Sequence, residues 1–160
     1  MYEITKARSD DADEILALYG TVLGGPAGWN EEYPCADNVE TDIRRGALFV
    51  MKNVQGEIIG AISEETEPEV EVFGCWDKNL FPAVGLSRLC VRKDMQNRGL
   101  SKKLIGFAFD HFAEKGAKGV HILVRPEHVI ALASYKKLGF REAGRGKVYG
   151  IDFILMERAL

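Results

Sequence analysis

Gln96-Asn97-Arg98-Gly99-Leu100-Ser101-Lys102 separates two segments of different periodicity. Before it, Val84 to Val91 is a mostly apolar run with the length of a buried strand. After it, Leu104, Ile105, Phe107, Ala108, Phe109 and Phe112 recur at helical spacing. A strand therefore passes through a short loop with one glycine into the start of a helix. The first turn of a helix presents backbone N–H groups with no intrahelical partner, and aligned peptide dipoles add about half a positive charge there. Together they suit an anion such as phosphate. Arg98, Lys102 and Lys103 place cations at the same point, and Gly99 leaves room for a ligand to reach the backbone. Alone, this pattern also fits an ordinary strand-to-helix connection with solvated cations, so its meaning depends on the rest of the chain.

With 160 residues, the chain is expected to form a single domain with a substantial core. Its 46% apolar and 28% charged residues are globular values, which argues against disorder. A net charge of −3 argues against nucleic acid as a partner. Cys35, Cys75 and Cys90 are odd in number, far apart and without metal-ligand spacing, as suits a reducing compartment and no metal. The start Met1-Tyr2-Glu3-Ile4-Thr5-Lys6 carries no signal-peptide core, and no apolar run is long enough to span a membrane. A soluble cytoplasmic protein is expected.

Tyr2 to Ala7 alternates as a half-buried strand does, and Ser9 or Asp10 is placed to cap a helix with Ile15, Leu16, Leu18 and Tyr19 on its apolar face. Thr21 to Asp37 is broken by Gly24-Gly25-Pro26 and Tyr33-Pro34. Its Trp29 and Tyr33 read either as lids on a core or as a substrate-facing wall. Asn38 to Arg45 reads as a short helix, and Ala47–Lys52 with Glu57–Ser63 as a hairpin across Asn53-Val54-Gln55-Gly56. Glu64, Glu65, Glu67, Glu69 and Glu71 crowd around Pro68, either as a solvated acidic edge or as a negative mouth for a cationic substrate. Val120 to Val124 reads as a buried parallel strand, and His128 to Leu138 as a helix closed by Gly139. Phe140 begins a strand, Arg145-Gly146-Lys147 reads as a loop or turn, and Val148 to Met156 as the closing strand. The order β-α-α-β-β-β-α-β-α-β-β describes an α/β (α+β) fold with a mixed sheet and helices on both faces.

At this point the chain resembles the GCN5-related N-acetyltransferase (GNAT) family. Leu86-Ser87-Arg88-Leu89-Cys90-Val91 followed by Gln96-Asn97-Arg98-Gly99-Leu100-Ser101 is similar to that family's strand and Q/R-x-x-G-x-G/A loop. Tyr135-Lys136-Lys137-Leu138-Gly139-Phe140 looks like its Y-x-K-x-G-F signature. The element order agrees over nearly the whole chain. The resemblance implies a mostly antiparallel central sheet with one splayed parallel pair, and acetyl-coenzyme A as acyl donor without a metal. It places the pyrophosphate on Gln96, Asn97, Arg98, Gly99, Leu100, Ser101 and Lys102. Pantetheine would lie along Leu89, Cys90 and Val91, and Tyr135 would act as the proton donor to the departing thiolate. Such a phenol, with a reference pKa of about 10, holds its proton at neutral pH. The acceptor would meet Trp29, Tyr33 and Ser87.

Three departures from the family pattern stand out. Ser101 replaces a small Gly or Ala, and His128 stands where an Asn usually contacts the cofactor. Gly85 and Ser87 carry no carboxylate where many members have a Glu that draws the amine proton through water. A base matters because an alkyl ammonium, with pKa about 10.4, has no lone pair. Glu69 and Glu71, read as lying on a neighbouring strand, are candidates, as is His121. The remaining option is no dedicated base, with proximity supplying the acceleration. The expected activity is acetyl transfer to a primary amine of a small molecule, amino acid or peptide N-terminus by direct attack. The alternatives are a catalytically weak acyl-coenzyme A-binding regulatory module, or a transferase using a bulkier acyl group. Two copies could associate through the last strands. G-x-x-x-x-G-K-[ST] is absent, which argues against a nucleoside triphosphate enzyme.

Overall fold

The computed structural model describes all residues from Met1 to Leu160. Seven strands form one sheet in the order β1-β2-β3-β4-β5-β7-β6: β1 (Glu3–Lys6), β2 (Leu48–Lys52), β3 (Ile58–Glu65), β4 (Ala83–Val91), β5 (Gly119–Val124), β6 (Arg141–Val148) and β7 (Ile151–Ala159). The helices are α1 (Ala12–Gly20), α2 (Ala36–Arg44), the one-turn α3 (Pro68–Glu71), α4 (Leu100–Glu114) and α5 (Val129–Lys137). β1–β2, β2–β3, β5–β7 and β6–β7 are antiparallel, and β4–β5 is parallel. The mixed, mostly antiparallel sheet agrees with the expected fold class. No helix is long and apolar enough to cross a membrane.

The chain divides into two compact units, Met1–Glu64 with Ser87–Ala108, and Glu65–Leu86 with Phe109–Leu160. In the first, Ile15, Leu18 and Tyr19 of α1 and Val39 of α2 join Leu48, Val50, Ile58, Ala61 and Cys90 in one buried cluster. Ser9–Asp11 forms a 3₁₀ turn before α1, so the residue at the cap position of α1 is Asp11 and not the expected Ser9 or Asp10. Asp11 Oδ2 accepts the Arg8 N–H at 2.8 Å, and its Oδ1 takes Lys52 Nζ at 2.8 Å. The hairpin turn is built by Asn53, whose Oδ1 accepts the N–H groups of Gln55 and Glu57 at 3.1 and 2.9 Å. Where α4 covers β3, Gly60 is forced by contact. A Cβ there would meet Leu104 Cδ1 at 2.9 Å and the Cys90 carbonyl oxygen at 3.3 Å. Leu104 is wholly buried, and truncating such a leucine costs about 2–5 kcal/mol.

In the second unit, Val70, Trp76 and Leu155 form a buried cluster flanked by Phe73, Phe81, Leu123 and Phe153. Trp76 Nε1 donates to the Val70 carbonyl at 2.7 Å, tying α3 to the chain that follows it. Glu69 and Glu71 therefore lie on a helical turn, contrary to the expected strand. Pro68, with its φ already suited to a first helical position, starts that turn. Arg145-Gly146-Lys147 is also not a turn but the middle of β6. The reversal comes later, at Tyr149 and Gly150, both left-handed with φ of 51° and 75°, the backbone that a tight two-residue hairpin requires. The glycines of β6 admit neighbours. A Cβ at Gly146 would strike the Phe73 ring, and one at Gly144 would meet Cys75 Cβ at 2.9 Å.

Candidate active site

In the first unit, β4 carries a distortion. Arg88 has φ of +46°, a left-handed angle seldom taken by a residue with a side chain. Such a backbone costs about 1–3 kcal/mol and persists only when its surroundings hold it. The side chain supplies that hold. Nε donates to Asp42 Oδ2 at 2.7 Å and Nη2 to Asp42 Oδ1 at 2.9 Å, a bidentate pair. Nη1 donates to the Tyr33 hydroxyl oxygen at 3.1 Å. Ser63 Oγ donates to Asp42 Oδ2 at 2.8 Å, and Arg45 Nη1 stands 3.5 Å from Oδ1. Burial alone would disfavour the charge on Arg88, but the hydrogen bond to Asp42 and the nearness of Tyr33 outweigh it and raise its pKa above the ordinary value. Sequence reasoning missed this pair, whose members are 46 residues apart.

Tyr33 is exposed and Trp29 half-buried. Trp29 meets Tyr19 edge-on, ring centres 5.2 Å apart, which makes it a flank of the α1–α2 core. Ser87 is half-buried on β4. The parallel ladder of β4 with β5 pairs Ala83–Leu86 with Gly119–Ile122, and Ser87–Val91 lie beyond it. Leu89 is half-buried, while Cys90 and Val91 are buried. Burial pushes the Cys90 thiol up to about 12, so at neutral pH it is an unreactive thiol. The Arg92 N–H donates to the Ile59 carbonyl at 2.9 Å and fixes the end of β4 on β3.

The chain then makes a 3₁₀ turn, Lys93–Met95, and enters the loop. Gln96 Nε2 donates to the Val91 carbonyl at 3.1 Å, so this side chain closes the loop onto the strand end. Asn97 and Gly99 are both left-handed, with φ of 62° and 77°. Gln96 to Gly99, Ser101 and Lys102 are exposed, while Leu100 is buried and anchors the first turn of α4. A Cβ at Gly99 would meet nothing within 4 Å. Glycine is demanded there by backbone angle, not by crowding within the chain. Lys103 turns away from the loop, its Nζ 5.2 Å from the centre of the Tyr2 ring.

In the second unit, Tyr135 is buried on α5 and meets Phe140 edge-on. Burial pushes its phenol up to about 12, so the proton stays on oxygen throughout the neutral range. Gly139, with φ of 90°, ends the helix where a Cβ would press on Arg158 Nε at 3.1 Å. Arg158 Nε donates to the Leu138 carbonyl at 2.7 Å, and its guanidinium lies 4.3 Å from the centre of the Phe109 ring. His128 precedes α5, its Nδ1 buried without a partner and its pKa lowered by burial. His121 is buried flat against Trp76, ring centres 3.8 Å apart and 9° between planes, with Phe81 edge-on. Burial pushes it down to about 4, which makes it a packed neutral imidazole and a weak base. Glu69 and Glu71 are exposed. Glu157, wholly buried, was not anticipated. It accepts the Asp77 N–H at 3.0 Å and pairs with Arg141 Nη2.

Comparison with known proteins bears on the fold and the family. Mycothiol acetyltransferase of Tsukamurella paurometabola is 32% identical over 95 residues, which cover 57% of this chain and 32% of that protein. The chain thus spans well under half the length of that curated relative. Among solved structures, the ribosomal-protein-S18-alanine N-acetyltransferase of Escherichia coli superposes with a TM-score of 0.76 at 18% identity, over 99% of this chain and 94% of that one. A phosphinothricin acetyltransferase from Sinorhizobium meliloti, solved in complex with AcCoA, gives 0.77 at 20% identity over 99% and 88%. These likenesses show a shared fold. The family model described as an acetyltransferase (GNAT) domain matches residues 22–160. The chain belongs to the GNAT acetyltransferase family.

Proposed function

We propose that the chain transfers the acetyl group of acetyl-coenzyme A to a primary amine by direct attack, with both substrates bound together. The observation that carries this reading is the loop. Left-handed residues at 97 and 99 lead into the exposed first turn of α4, flanked by Arg98 and Lys102. That turn has amides to spare for a diphosphate. The main chain of Leu89 to Val91 is the proposed rest for the pantetheine arm. Cys90 takes part through its backbone, since its thiol is buried.

The amine nitrogen forms a bond to the thioester carbonyl carbon, and the carbon–sulfur bond breaks. The sulfur takes a proton from Tyr135, whose phenol keeps it until charge develops. Before attack the ammonium loses one proton through water, with Glu69 and Glu71 as its proposed first acceptors, and after attack the nitrogen gives up a second proton, which returns through solvent to the Tyr135 phenolate. Titration calorimetry with coenzyme A, followed by thiol release from acetyl-coenzyme A across a panel of amines, tests the reading. Coenzyme A binding with amine-dependent thiol release is expected. Binding without release from any amine would mean a cofactor-binding module, and no binding would remove the assignment.

A further inference from the structure

We infer that Tyr33 reads the acceptor, donating its phenolic hydrogen to an oxygen carried beside the reacting amine. The acceptors are then amines with an adjoining carbonyl or carboxylate, as in a peptide N-terminus or a free amino acid, in preference to plain alkyl amines. This rests on the acetyl-transfer reading above.

Tyr33 is 43% exposed, and an exposed phenol ordinarily samples several rotamers. Here it is held from behind. Its oxygen accepts from Arg88 Nη1 at 3.1 Å, and Arg88 is clamped by two hydrogen bonds to Asp42, itself bonded by Ser63. The backbone is fixed as well, since Tyr33 N–H donates to Asn30 Oδ1 at 3.1 Å and Asn30 and Tyr33 form a small antiparallel bridge. With its oxygen accepting from a guanidinium, which has no lone pair to offer in return, the Tyr33 hydroxyl keeps its own hydrogen to give to another group. The anchoring arginine lies in the strained segment of β4 past the parallel ladder, three residues before Val91. At about 3.3 Å per residue, that is about 10 Å from the strand end that feeds the anion loop.

Chemistry then narrows the ligand. The attacking nitrogen must keep its lone pair for the thioester carbon, so the lone pair met by Tyr33 belongs to a second atom. A plain alkyl amine has none, and its ammonium form would set donor against donor. A carbonyl or carboxylate oxygen beside the amine completes the bond.

The test is the ratio of kcat/KM for glycinamide and for glycine to that for ethylamine, measured on the wild-type protein and on Tyr33→Phe, with coenzyme A affinity measured by calorimetry on both. Comparing ratios between the two proteins cancels the differing basicities of the amines. The ratio should fall about tenfold in Tyr33→Phe, chiefly through KM. A larger fall with glycine than with glycinamide would identify a carboxylate as the group read, and the reverse a peptide-type carbonyl. Thiol release with the same ratio in both proteins overturns this inference and leaves acetyl transfer standing. Coenzyme A binding without thiol release from any amine overturns both.

Discussion

Phe140 stands edge-on to Tyr135, with ring centres 5.6 Å apart and 68° between the planes. Phe140 in turn lies 5.9 Å from Phe109 of α4, so the phenol is braced by a row of rings. An aromatic contact of this kind is worth about 0.5–1.5 kcal/mol beyond buried area, and it fixes where the phenol points. Tyr135→Phe keeps the ring and removes the hydroxyl that carries the proton. Turnover should fall by about 10²–10⁴, the usual weight of a general acid, while coenzyme A affinity by calorimetry changes little. An equal loss in both quantities would contradict the role.

Gly99 offers a test of backbone against bulk. Because its Cβ would meet open space, the penalty of substitution comes from the left-handed angle. Asparagine tolerates that region far better than a β-branched residue. Gly99→Asn should therefore keep most of the affinity for coenzyme A, and Gly99→Val should lose at least about tenfold, at about 1–2 kcal/mol. Equal affinity in the two variants would show that the loop angle does not matter.

The Asp42–Arg88 pair predicts a stability effect that a single substitution exposes and a double one conceals. Asp42→Ala strands a buried guanidinium and should cost about 3–5 kcal/mol. In a chain of this length that lowers Tm by about 10 °C in a thermal melt. The paired replacement Asp42→Leu with Arg88→Met removes both charges and should recover most of the loss. A double variant no more stable than the single one would mean that the pair holds the fold in some other way.

His121 sets a pH dependence. Its pKa falls from 6.5 in the unfolded chain to about 4 in the fold because burial disfavours the charged ring. The unfolded state binds this proton first, so acid favours unfolding. The contribution is intact above about 6.5 and is lost as pH falls towards 4. Urea titrations from pH 7 to pH 4 should show a steeper loss of stability for the wild type than for His121→Phe, which has no proton to gain. Parallel curves would assign the acid sensitivity to other groups.

Much of the architecture was legible because burial leaves a period in the chain. β2, β3 and β5 are nearly continuous apolar runs, and α4 repeats its apolar residues every three or four positions. β6 was harder to read because it is an edge strand. Its Arg141, Glu142, Arg145 and Lys147 face water, and its glycines make room for Phe73 and Cys75, so no alternation survives. The charge density at Glu69 and Glu71 carries no period that separates a strand from a helical turn, and Pro68, the residue that starts the turn, is the local mark of the helix. Among the proposed site residues, the loop and the Tyr135 signature are each local in sequence and visible. The brace behind Tyr33 joins residues from α2, β3 and β4, and nothing in a linear pattern marks an aspartate in a helix as the partner of an arginine in a strand.

The missing side chain at Gly60 gives α4 its depth. Leu104 occupies the space a methyl would fill, and the same helix presents Leu100 to Lys102 at its leading end. Position 60 therefore acts as a shim beneath the helix whose leading end is the proposed donor platform. A one-carbon insertion there would raise the platform by a fraction of an ångström, so Gly60→Ala is expected to alter affinity at the proposed coenzyme A site.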